Sequence, residues 1–129
     1  MAGAKIGNGP VLPACQPPEV NLEKWEESLD LIIEEKVDFL YLTHFGKTAD
    51  VKNHILEMKE ILKNWSNWIR EYKSSYNNIE ELTKAFNNYV YDFLKNNAKL
   101  DEKLIKQYYA ANPPYMSVAG LLRYWDNNK

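Results

Sequence analysis

Residues 50–72 read DVKNHILEMKEILKNWSNWIREY, and this stretch decides the fold class. Ile55, Met58, Ile61, Leu62, Trp65, Trp68, Ile69 and Tyr72 recur at the spacing that gathers apolar side chains on one stripe of an α-helix. Thr48 or Asp50 supplies its cap. Downstream the same period returns. Asn77 or Asn78 opens a helix with Glu80 or Glu81 in a capping-box variant, and Ile79, Leu82, Phe86, Tyr89, Val90 and Phe93 form its stripe. A shorter helix is predicted from Asp101 to Tyr109 through Leu104, Ile105 and Tyr108, broken by Asn112-Pro113-Pro114. Ser117 begins a last one carrying Val118, Leu121, Leu122 and Trp125. Upstream, Asn21 caps a helix from Leu22 to Glu35, with Leu22, Trp25, Leu29 and Ile32 or Ile33 on one side. The expected fold class is mainly α: a helical domain of four to five helices with a minor β element.

That β element has two expected parts. Val37 to Thr43 is nearly continuous in apolar residues and follows the first helix after almost no linker, so it reads as a strand covered on both faces. It delivers His44 to a sheet rim, and Gly46 lets the backbone turn away. The other part lies in the first eighteen residues, which carry four of the six prolines and three of the five glycines and are therefore extended and turn-forming. Ala4-Lys5-Ile6 and Val11-Leu12 flank Gly7-Asn8-Gly9-Pro10, the signal of a short N-terminal hairpin. Residues 1–129 thus read as a single domain, in which an extended Pro/Gly-rich, hairpin-like arm over 1–20 leads into helix, strand and helices over 21–129.

Charge narrows the functional classes. Sixteen basic and eighteen acidic residues are interleaved along the chain, leaving no basic face for a nucleic acid backbone. No apolar run approaches the roughly 20 residues of a membrane span, and the N-terminus lacks a signal-peptide pattern, so the expectation is no membrane and a cytoplasmic location.

Few residues offer chemistry. Cys15 is the single cysteine, without a neighbouring histidine or cation to activate it, and reads as a small hydrophobe. His44 is the candidate metal ligand, set against a structural role at a strand end. His54 sits on the polar shoulder of a helix, where a solvated or hydrogen-bonded ring is the default. Trp65, Trp68, Tyr72, Tyr89, Tyr91, Tyr108 and Tyr109 can stack on a ligand, yet most fall at helical spacing and belong to the core. Glu23, Glu26-Glu27 and Glu34-Glu35 read as solvated helix faces. No catalytic residue and no cofactor is expected. Zinc or another divalent metal enters only if a complete site is assembled, since Cys15, His44, His54 and a carboxylate match no compact zinc spacing.

Pro17-Pro18-Glu19, the helix with Trp25 and Ser28-Leu29, the strand ending Leu42-Thr43-His44-Phe45-Gly46, and Val118-Ala119-Gly120-Leu121-Leu122-Arg123-Tyr124 together resemble the C-terminal region of metallo-β-lactamase-fold hydrolases. The resemblance covers almost all of this chain but only the last portion of that family's domain. It implies that His44 inherits the position of the last ligand of a dinuclear metal site. The family's His-x-His-x-Asp-His motif, its next histidine and its bridging aspartate have no counterpart here. A chain related in this way leaves sheet edges and apolar surface uncovered, which predicts a homo-oligomer or a complementing protein chain. The expected function is a non-catalytic interaction or oligomerisation module, a truncated relative of that family. The alternatives are half of a split metal-dependent hydrolase and a small-molecule module with a pocket among Trp and Tyr residues.

Overall fold

Asparagine and aspartate side chains begin most of the helices, because each offers an oxygen to the free N–H groups of a first turn. The computed structural model describes residues 2–18, 20–44 and 46–128. Glu19 of the Pro17-Pro18-Glu19 segment and Phe45 beside His44 lie outside the described residues. Helix α1 spans Leu22–Glu34, with the Lys24 N–H donated to Asn21 Oδ1 at 2.8 Å. Helix α2 spans Val51–Tyr72; Asp50 precedes it, but its carboxylate accepts from Asn53 Nδ2 at 2.9 Å and does not cap the backbone. Helix α3, Ile79–Asp92, receives the expected capping box displaced by one residue: Asn78 Oδ1 accepts the Glu81 N–H, and Glu81 reaches back to the Asn77 N–H. It runs into a π-helical turn over Phe93–Asn97. Helix α4, Glu102–Ala111, starts on Asp101. Helix α5, Pro114–Asn127, begins on Pro114 and not on Ser117, since a proline in the first turn has no N–H to leave unpaired.

The expected strand is corrected. The strand shortens to Leu40–Tyr41 (β1), antiparallel to Lys47–Thr48 (β2), with Leu40 opposite Thr48 and Tyr41 opposite Lys47, and the Leu42 N–H donates to the Gly46 carbonyl at 2.9 Å. Nor is the segment covered on both faces: Val37, Phe39 and Tyr41 are 40%, 48% and 78% exposed, while Leu42 is buried and Leu40 packs on the core. Successive side chains of an extended chain point to opposite sides, and here the leucines take one side and the aromatics the other. Gly46, at φ +91°, makes the turn between the strands. The N-terminal hairpin contracts to a single bridge, in which Ala4 and Leu12 exchange N–H···O bonds of 2.7 and 2.9 Å. Ala4 also bridges His44 in the parallel sense.

The arm is the structural centre of the molecule. Leu12 and Cys15 lie in the larger core cluster with Trp65, Phe86, Leu94, Tyr108, Val118 and Leu121, and Val11 lies in the smaller one with Leu29, Ile55 and Met58. An extended segment buried without a full sheet must find partners for its peptide groups elsewhere. Helix side chains supply them. Glu57 accepts the Val11 N–H at 3.1 Å, and Ser117 Oγ accepts the Cys15 N–H at 3.3 Å. The Tyr108 hydroxyl accepts the Ile6 N–H at 3.1 Å and donates to the Pro10 carbonyl at 2.7 Å. Asn112 Nδ2 donates to the Pro13 carbonyl at 2.8 Å. α5 closes on the arm at Gly120, where a Cβ would overlap the Cys15 carbonyl oxygen.

The helical aromatics belong to the core, as their spacing implies. Trp65 meets Phe86 edge-on at 5.1 Å, and Trp68 stacks on Tyr89 at 5.3 Å. Tyr72, at the end of the stripe, is exposed.

Candidate functional site

The three residues with the strongest intrinsic chemistry are held separately. Cys15 is fully buried in the arm, and burial pushes its thiol well above the usual range, which suppresses the thiolate needed for nucleophilic or metal chemistry. Its reactivity is therefore a gauge of arm opening. A thiol reagent is expected to label the native protein at least ~1,000-fold more slowly than the urea-unfolded chain, because labelling needs the arm to leave its groove. A rate within tenfold of the unfolded chain's would show the arm to be unseated.

Of the two expected alternatives, solvated or hydrogen-bonded, His54 takes the second, in a buried place and not on a polar shoulder. It is 3% exposed on the first turn of α2, and its Nε2–H donates to the Ala2 carbonyl at 2.7 Å while Nδ1 has no hydrogen-bond partner. Burial lowers its pKa, only partly opposed by the bond to Ala2. The unfolded chain then binds more protons than the folded one below the ordinary histidine value, so stability falls as pH drops through about 6.5. Urea midpoints measured from pH 7.5 to 5.5 should show this fall, and His54→Gln, which keeps an N–H donor, should flatten it. An unchanged slope in the variant would assign it to other groups.

His44 stands at the β1–β2 turn, half-buried. Its Nδ1 lies 3.1 Å from the Ala111 carbonyl. A carbonyl only accepts, so Nδ1 carries a proton, and in a neutral ring that tautomer leaves Nε2 as the nitrogen a metal would take. Among the described residues, however, no group of three or more His, Cys, Asp or Glu is placed to hold a metal ion. His44, His54 and Cys15 do not combine into a site.

The outer face of the hairpin is exposed. Lys47 Nζ sits 4.0 Å from the centroid of the Phe39 ring and 5.7 Å from that of Tyr41, a cation between two exposed aromatics. Leu31, Val37, Phe39 and Tyr41 supply four of the eight exposed large hydrophobics among the described residues, which concentrates outward apolar surface in one short part of the chain. The signal for this face was the alternation of Val37, Phe39 and Tyr41 with Leu40 and Leu42, hidden because every one of those side chains is apolar.

The architecture is that of a mainly α protein with a minor two-stranded β element. No helix among the described residues is long and apolar enough to cross a membrane. No protein-family model, curated protein or solved structure matches the chain. A relationship to metallo-β-lactamase-fold hydrolases therefore rests on the residues quoted above alone.

Proposed function

We propose that this chain is a non-catalytic helical interaction module, related to the C-terminal region of metallo-β-lactamase-fold hydrolases, that self-associates in the cytoplasm through its β1–β2 hairpin. The outward Phe39–Lys47–Tyr41 face carries this reading. A two-residue-per-strand hairpin gains little from its own pairing, so its exposed rings serve contact better than folding. A second copy is the occupant we favour. The formal net charge of −2 gives little repulsion between copies, and a two-fold contact lets each aromatic face cover its equal. On dilution, amide resonances of residues 37–48 should move together while those of α3 and α4 stay still. Uniform shifts, or none, would remove the hairpin from the interface.

A second reading is supported by the His44 tautomer: half of a split metal-dependent hydrolase. His44 offers one nitrogen where a catalytic zinc needs about three protein ligands, so the remaining ligands would have to come from another chain. No hydrolytic step is derived for this chain. Elemental analysis of the purified protein and of His44→Ala tests the reading: stoichiometric metal lost in the variant supports it, and no metal in either protein removes it.

A further inference from the structure

Helix α2, the arm and the hairpin turn meet at residues 2–4. From α2, His54 Nε2–H donates to the Ala2 carbonyl at 2.7 Å. Within the arm, Ala4 exchanges N–H···O bonds of 2.7 and 2.9 Å with Leu12, and His44 of the hairpin turn bridges Ala4 in the parallel sense. Gly3 stands at φ +80° with no room for a side chain: a Cβ would come within 2.8 Å of the Leu12 carbonyl oxygen and 3.0 Å of Met58 Sδ.

The grip of α2 on this segment depends on one proton. The Ala2 carbonyl only accepts, so Nε2 carries the hydrogen of the neutral ring and Nδ1 is bare. Nδ1 is shut off from solvent and has no hydrogen-bond partner. A bare nitrogen tolerates that place, whereas a second N–H would be a buried donor on a charged ring with nothing to receive it. The charged groups acting on the ring are Lys5 of the arm and Glu57 of α2, opposite in sign, and the Glu57 carboxylate already accepts the Val11 N–H. The hairpin brings His44, whose Nδ1 is taken by the Ala111 carbonyl.

The same segment is the part of the arm most easily released. Ala2-Gly3-Ala4 brings only two methyl groups, whereas Val11, Leu12 and Cys15 are buried in the two core clusters. Beyond Lys5 the Tyr108 hydroxyl holds the chain again at Ile6 and Pro10, so the arm can open at residues 2–4 and stay seated further on.

We infer that residues 2–4 are an acid-released latch: protonation of His54 detaches them from α2 and Leu12 and frees the hairpin turn from its bridge to Ala4, while the rest of the arm stays in place. Release returns the ring to its ordinary value of about 6.5, and burial holds it lower in the closed form, so the open form binds more protons and gains as pH falls through about 6.5. Between pH 7.5 and 5.5 the gain reaches at most about tenfold. Because the opening exposes little surface, urea hardly promotes it. Nothing in the latch depends on self-association.

The test is amide hydrogen exchange of the full chain, read by two-dimensional NMR at pH 7.5, 6.5 and 5.5 with and without about 1 M urea, each rate taken relative to the intrinsic rate at its pH. The Ala4 and Leu12 amides should be at least about tenfold less protected than the Trp65 amide, insensitive to urea, and should lose protection about threefold to tenfold from pH 7.5 to 5.5. His54→Gln, which keeps a donor for Ala2, should abolish the pH dependence and leave the urea insensitivity. Exchange at Ala4 and Leu12 that follows urea as Trp65 does would mean release by global unfolding alone. Protection that does not change with pH, or that still falls in the variant, would take the latch away from His54. Any of these results overturns the inference, and the urea and pH series of the parent decide it alone if the variant does not fold.

Discussion

Gly120→Ala is expected to destabilise the protein by about 3 kcal/mol or more, a large effect for one methyl group. In an exposed helix the same change would stabilise by roughly 1 kcal/mol, since alanine is the better helix former. The sign is decided by what Gly120 touches. Its missing Cβ would fall on the Cys15 carbonyl oxygen and 2.8 Å from a Val20 methyl, and the first of these is backbone that no rotamer change can move. Accommodating it means lifting the arm off α5, which also weakens the bond from the Cys15 N–H to Ser117 Oγ. Urea unfolding reads the loss, and faster thiol labelling of Cys15 reads its location. A variant as stable as the parent would mean that the arm does not lie against α5.

Trp65→Ala should cost a comparable amount, about 3–5 kcal/mol, from lost burial and the cavity left behind. Trp65 is 2% exposed, sits in the main cluster and meets Phe86 edge-on. Against a typical total of about 5–15 kcal/mol, either variant brings the protein close to unfolding at ordinary temperature. Tyr72→Ala, at the end of the same stripe but exposed, should cost under about 1 kcal/mol. Equal losses at the two positions would contradict the placement of the core along α2.

The helices were legible in the chain because their signals are local. Asn21, Asn78 and Asp101 cap the helices that follow them, and the stripe from Ile55 to Ile69 is buried as its period implies. What could not be read depends on contacts between residues about a hundred positions apart. Nothing near Tyr108 or Asn112 in sequence indicates that their polar ends hold Ile6, Pro10 and Pro13, because those partners meet only once α4 has folded over the arm. His54 was misplaced for the same reason: its helical period put it on a shoulder, and the residues that bury it there, Ala2 among them, come from the arm. The Val37 to Thr43 segment misled in another way. Its apolar run implied burial on both faces, yet with no further strand among the described residues to cover it the aromatic side is left outside.

Sedimentation equilibrium of the parent chain and of the Phe39→Ser, Tyr41→Ser double variant, from about 1 μM to 1 mM, tests self-association through the hairpin most directly. Dimerisation of the parent with a dissociation constant in the ~10 μM range, weakened at least about tenfold in the variant, is the expected outcome. A parent chain that stays monomeric to 1 mM, or a variant that dimerises as tightly as the parent, would contradict it.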